Sequence, residues 1–351
     1  MEYKNLTLSG SEKIGLVSNL ATMLTAGIPI LEAVDSLLED IKGSQKRVLE
    51  TLREDLIQGR RVWSALAKFP RAFDKVTVSV IKASEEAGTL DVTLRDLKEQ
   101  IRKQQEFDDK IRGAMIYPAF ILLVFLGVFL VILFVVIPKI SVVFRSLKVE
   151  LPLPTRILIF LSDVVVNQGI WVIVGLLAIG GLGYLLFRSK RSFFINIIFS
   201  LPLISTLVDQ IDLTRFSRSL YLLLYSGIPI AQALELTEDV VVKNKTAKII
   251  EASKEMVIAG KNLSVGLRTA KGQIPTIMIK LIEAGEKTGT LDKSLSDIAE
   301  YFDYQVSNTL KTILALIEPI MLVVIGIVVG GMMLAIIAPI YGLISQIGSV
   351  R

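Results

Sequence analysis

"EEAGTLD" occupies Glu85–Asp91 and "GEKTGTLD" occupies Gly285–Asp292, so the chain writes Gly-Thr-Leu-Asp from Gly88 and again from Gly289, 201 residues on. Four matched letters arise by chance; a duplication also keeps other landmarks at the same offset. Pro118 and Pro319 keep it at 201, as do Pro138 and Pro339. "IQGR" at Ile57–Arg60 and "IAGK" at Ile258–Lys261 keep it as well. "AGIPI" from Ala26 and "SGIPI" from Ser226 stand 200 apart, which puts one inserted or lost residue between Pro29 and Ile57. Helix-breaking residues held in near-constant register over such a length mark a duplicated unit. The period is too long for a solenoid, so the chain is two domain-sized copies.

Hydrophobic residues make up 52% of the 351, and their distribution is uneven. No charged side chain occurs in Gly113–Pro138, Val164–Phe187 or Pro319–Val350. Each stretch exceeds the roughly 18–20 apolar residues that cross a hydrocarbon core of about 30 Å. The fold class expected is therefore an all-α integral membrane protein. Its expected segments are a cytosolic helical-bundle repeat at 1–113, spans at 114–138, 164–187 and 319–341, and a second cytosolic bundle at 188–318. A periplasmic loop at 139–163 and a periplasmic tail at 342–351 complete the plan. The start, "MEYKNLTLSGSEK", lacks a basic segment followed by an apolar one, so no cleaved signal peptide is expected. Only span 2 lies between the end of span 1 and the second polar region, so the chain crosses twice between the two polar regions, which puts both on one face. Nine Lys and Arg flank the spans on that face and five on the other, so it is the cytosolic one.

The polar regions read as short helices divided by Gly and Pro, about six per copy. Ile14, Val17, Leu20, Ala21 and Leu24 form the stripe of an amphipathic helix, Gly27 stops it and Pro29 opens the next. Gly88 and Gly289 stop a helix, and Thr89 and Thr290 cap the one that follows. Leu90 and Leu291 then begin it, with Asp91 and Asp292 beside the positive end of its dipole. This explains the repeated tetrapeptide but leaves four acidic residues before it, Glu85, Glu86, Glu283 and Glu286. They read either as a solvated helix face or as a surface for a partner.

Several chemistries are excluded. The chain has no His and no Cys, which removes His-dependent nucleophile arrangements and zinc sites built on those residues. No disulfide framework exists. A phosphate-binding loop needs G-x-x-x-x-G-K-[ST]; Gly260-Lys261-Asn262 lacks the final hydroxyl, and in "AGEKTGT" Glu286 separates Gly285 from Lys287. No catalytic residue, metal site or cofactor is expected. Residues 1–112 carry 18 basic and 18 acidic side chains and residues 188–318 carry 16 and 14, so no footprint for nucleic acid is present. The spans hold no ionisable group to relay ions, against the runner-up readings of a small transporter or channel subunit or a membrane-anchored adaptor. Gly326 and Gly330 form a GxxxG, which lets helices pack closely.

Two helical copies, each with "GIP" near its start, a glycine-rich turn and a last helix that enters the membrane at a proline, form a specific combination. The matching residues are Gly27-Ile28-Pro29 and Gly227-Ile228-Pro229, Gly88-Thr89-Leu90 and Gly285-Glu286 through Gly289-Thr290-Leu291, Tyr117-Pro118 and Glu318-Pro319, and Pro138 and Pro339. The chain resembles the F-protein/PilC family of bacterial type II secretion and type IV pilus systems, over roughly residues 10–345. Ser84-Glu85 stands where the second copy has Gly285-Glu286. The absence of an extra N-terminal segment looks more like the short pilus-type members. The resemblance implies a non-enzymatic, multi-pass inner-membrane platform, N-terminus cytoplasmic. Its implied partners are a cytosolic hexameric assembly ATPase, pilin or pseudopilin subunits, other inner-membrane assembly proteins, and further copies of itself.

Overall fold

The computed structural model describes residues 5–146, 153–167, 202–270 and 272–348. Among them every regular element is helical. The first copy comprises α1 (Gly10–Thr25), α2 (Ile30–Asp40), α3 (Gly43–Ile57), α4 (Val62–Leu66), α5 (Lys75–Ala87) and α6 (Leu90–Val131). The second comprises α9 (Pro202–Tyr225), α10 (Ile230–Thr237), α11 (Asn244–Ile258), α12 (Leu263–Arg268), α13 (Thr276–Thr288) and α14 (Leu291–Gly348). Between them α7 (Ile137–Ser146) and α8 (Leu153–Asn167) are described.

Local chemistry sets these boundaries. Ser9 caps α1 in a reciprocal box: its hydroxyl accepts from the Glu12 amide, and the Glu12 carboxylate accepts the Ser9 amide at 2.7 Å. At the far end Gly27 sits at φ +81°, and the Ile28 amide donates to the Met23 carbonyl at 3.0 Å, closing the helix with satisfied carbonyls. Gly227 and Ile228 repeat this in the second copy, at φ +78° and 3.0 Å. The structure also locates the single-residue insertion. α2 and α10 start 200 apart, but α3 and α11 start 201 apart. The extra residue falls where α10 stops early and a 3₁₀ turn, Glu238–Val240, leads toward α11.

Residues 1–110 and 206–308 form one compact unit. The sequence reading gives each copy its own bundle; the side chains join the two cores into one. Leu16, Leu49, Leu52, Phe69 and Ile81 of the first copy share a continuous buried cluster with Phe216, Leu220, Leu234, Met278 and Ile282 of the second. Helices with one apolar stripe bury it against neighbours, and here some of those neighbours belong to the other copy.

The second unit comprises residues 111–205 and 309–351. The helix from Leu90, continued through a π-helical turn at Ile132–Val136 into α7, and α14 are both long and apolar enough to cross a membrane. Their apolar side chains point outward: Ile116 is 69% exposed and Leu334 70%. A core helix of a soluble protein would bury these residues; a lipid-facing helix presents them. Of the expected second span, 164–187, all but the first turn lies outside the described residues. The stretch expected as a loop, 139–163, is largely helical where described, because Pro154 stands in the first turn of α8, where a missing amide is tolerated, ahead of an apolar run. α14 likewise continues past 341, the expected end of its span, to Gly348.

Candidate functional site

The repeated turn has the same geometry in both copies. Gly88 adopts φ +72° and ψ +21°, and Gly289 φ +71° and ψ +18°. This left-handed conformation is disfavoured for residues with a Cβ by roughly 1–2 kcal/mol. Behind each glycine the next amide folds back, Thr89 to the Ser84 carbonyl and Thr290 to the Gly285 carbonyl, both at 2.9 Å. The threonines act through their backbone: their carbonyls accept from the Thr93 and Ser294 amides at 3.1 Å. The Thr290 hydroxyl lies 2.7 Å from that of Thr288 rather than on an amide. Asp91 and Asp292 occupy the first turns of α6 and α14, and Leu90 and Leu291 pack against the core.

The acidic residues before the turn divide by task. The Glu85 carboxylate reaches across to α4 and accepts the Val62 and Trp63 amides at 2.9 and 3.2 Å. Glu286 does the same for α12, accepting the Ser264 amide at 3.3 Å and the Ser264 hydroxyl at 2.5 Å. These two short helices have no side-chain cap from the residues that precede them, Arg61 and Asn262. Glu85 and Glu286 are thus caps supplied from another helix, and neither a solvated face nor a free partner surface describes them. Glu283 bonds to Lys287 at 2.8 Å and Arg268 at 2.7 Å, and Lys287 foremost holds its carboxyl below the usual range. Glu86 is exposed and makes no hydrogen bond or ion pair among the described residues. The signal for the caps is present in the sequence, since Glu85 follows Val62, and Glu286 follows Leu263, by 23 residues. It is invisible until α4 and α12 are known to start there without a cap of their own.

A prediction follows for the full-length protein in detergent. Glu85→Ala and Glu286→Ala should each lower stability by about 1 kcal/mol, the usual loss on removing a cap, whereas Glu86→Ala should change it by less than about 0.5 kcal/mol. Thermal midpoints measure this. A loss at Glu86 equal to that at Glu85 would contradict the division of tasks.

The copies differ in how tightly the turn is built. A Cβ on Gly285 would lie 2.5 Å from the Ser294 hydroxyl and 3.0 Å from the Leu291 Cα, so glycine lets α13 approach α14. The equivalent Ser84 is buried and donates its hydroxyl to the Ile81 carbonyl at 2.9 Å.

Arg218 on α9 makes a polar contact from the second copy to the first. It donates to the Gln104 side-chain oxygen at 3.1 Å and lies 5.5 Å from the centre of the Phe107 ring. Burial lowers its pKa from the ordinary value, opposed by Asp303 and Asp108. Arg215 pairs with Asp108 at 3.1 Å, and Lys110 pairs with Asp303 at 3.0 Å. Beside these residues lies a cleft of about 750 Å³ bordered by Phe73, Thr77, Gln104, Arg215 and Arg218. Among the described residues no three His, Cys, Asp or Glu side chains converge on a point that would hold a metal ion. Gly326 and Gly330, expected to bring helices together, meet nothing within 4 Å of an added Cβ. The close packing expected of them is not made with the described residues of this chain.

A family model described as type II secretion system (T2SS), protein F matches the chain twice, at residues 16–138 and 216–339. The chain belongs to this family. The two protein F matches begin 200 residues apart and end 201 apart, the register of the internal repeat, and they end on Pro138 and Pro339. The type IV pilus assembly protein PilC of Pseudomonas aeruginosa is 30% identical over 337 residues, covering 94% of this chain and 89% of the relative. PilC of Myxococcus xanthus is 29% identical over 97% of this chain and 82% of its own length. The type II secretion system protein F of Pseudomonas aeruginosa is 30% identical over 97% of this chain and 85% of its own length. Pilus and secretion relatives thus match the chain at similar identity and coverage.

Proposed function

We propose that this protein is a non-enzymatic platform in a bacterial inner membrane, coupling a cytosolic assembly ATPase to the addition of pilin or pseudopilin subunits. The observation that carries the reading is helix continuity. In each copy one helix leaves the glycine turn in the polar unit and runs without a break into an apolar segment, α6 from Leu90 and α14 from Leu291. A displacement of the polar unit has a continuous path along these helices. Contact, not chemistry, is then the working principle, in keeping with a chain that has neither His nor Cys. Pilus and secretion relatives at about 30% identity support the assignment to fibre assembly. In this reading residues 1–113 and 188–318 are cytosolic, three spans cross the membrane, and the open faces at Gly326 and Gly330 are available to other copies or assembly proteins.

Affinity purification of the full-length protein from solubilised membranes, with a deletion strain as control, tests the proposal. The ATPase and pilin or pseudopilin should co-purify, and deletion should remove the fibre or its secreted product. Normal assembly in the deletion strain would overturn it.

A further inference from the structure

Proline leaves a carbonyl without its helical partner, because it has no amide hydrogen to donate. In α14 the amide missing at Pro339 is the one that would reach the Ala335 carbonyl four residues back. In the first copy the helix is π-helical over Ile132–Val136, and the Ile137 amide donates five residues back to Ile132. In that register the amide missing at Pro138 is the one for the Leu133 carbonyl. The repeat-equivalent prolines therefore orphan two carbonyls, Leu133 and Ala335, each on a buried residue.

Both carbonyls are met by one helix. The Ser162 hydroxyl of α8 donates to the Leu133 carbonyl at 2.7 Å, and the Thr155 hydroxyl donates to the Ala335 carbonyl. Thr155 and Ser162 are seven residues apart, two turns of α-helix, so they share one face about 10 Å apart along the axis. They are only 4% and 1% exposed. Ile159 lies between them on that face and packs with Leu133 and Ile137 from one side and Ile336 from the other.

We propose that α8 is a hydroxyl bridge that binds the two proline-orphaned carbonyls and ties the outer ends of the repeat-related spans together. Thr155 and Ser162 are its positioning residues. Nothing in the duplication supplies this element, since it lies between the copies. The inference rests on the proposal that these helices cross a membrane, where water is absent and an orphaned carbonyl must find a partner inside the protein. With both ends tied to one helix, span 1 and span 3 move as a pair.

The test is a double-mutant cycle on the full-length protein in detergent. Thr155→Val keeps the shape and removes the donor, and it should raise the unfolded fraction at fixed denaturant roughly 3- to 20-fold, the range measured for hydroxyl bonds between membrane helices. In a Pro339→Ala background the new amide can bond Ala335, so the same change should have little effect. Ser162→Ala should behave alike and lose its effect beside Pro138→Ala. Thr155→Ser, which keeps the hydroxyl, should stay near wild type and covers the case in which Val fails to fold. Equal losses with and without proline, or a loss with Thr155→Ser as large as with Val, would overturn the bridge. Alkaline extraction of membranes separates this from the membrane reading. Protein retained in the membrane with a null cycle defeats the bridge alone; protein extracted as soluble defeats the membrane assignment and the bridge with it.

Discussion

Gly88→Pro or Gly289→Pro is expected to abolish fibre assembly or secretion while the protein still reaches the membrane. Each glycine holds a positive φ near +70°, and proline is fixed near −65°. Proline also drives the residue before it out of the α region, which would unwind the end of α5 or α13. The Gly88 amide that proline removes donates to the Glu85 carbonyl at a long 3.4 Å and to the Ser84 carbonyl, which the Thr89 amide also reaches at 2.9 Å. The backbone angle decides the outcome, because it sets the direction in which α6 and α14 leave the turn. Alanine is the control. No atom lies within 4 Å of an added Cβ at either position, so Gly88→Ala meets only the left-handed penalty of roughly 1–2 kcal/mol and should keep measurable assembly. Surface fibres or secreted product, read beside membrane levels of the protein, give the result. Wild-type assembly with proline would show that the turn geometry is dispensable.

Arg218→Glu should cost the polar unit about 1.5–3 kcal/mol, the usual range when a part-buried hydrogen bond from a charged group is removed, and reversal adds repulsion. The arginine lies against Gln104 and Phe107 from the other copy, with Asp108 and Asp303 supplying the nearby negative charge. A glutamate there faces those two aspartates, whose cations Arg215 and Lys110 are already engaged. Arg102→Glu on the exposed face of α6, where Arg102 pairs with Glu99 at 2.7 Å, should cost no more than about 1 kcal/mol. Thermal midpoints of the two variants, with limited proteolysis to locate the opening, distinguish them. Equal losses would mean that the contact from α9 does not hold the copies together.

The duplication, the helical class and the glycine stops were legible because Gly, Pro and apolar spacing act locally. Pro29, Gly88 and Gly289 do in the structure what their residue types dictate. The roles of Glu85 and Glu286 were not legible, because a carboxylate that caps a helix 23 residues upstream leaves no local pattern. Arg218 was missed for the same reason: a cation on a helix that also carries Asp209, Asp212 and Arg215 reads as a solvated residue until the other copy is placed against it. The helix at Leu153–Asn167 was hidden by Pro152, Pro154, Arg156 and Asp163, which break up the apolar run and made the stretch read as a connection. Its face carrying Thr155, Ile159 and Ser162 became visible only beside the two prolines it serves.

In the proposed topology both copies lie on the cytosolic side and send one continuous helix each into the membrane. The chain has no Cys, so single cysteines at Lys42, Lys261 and Lys139 report topology without background. All three positions are exposed. With a membrane-impermeant maleimide, Lys42→Cys and Lys261→Cys should label in inverted vesicles and not in spheroplasts, and Lys139→Cys should do the reverse. Labelling of Lys42→Cys and Lys261→Cys from opposite sides would contradict the account.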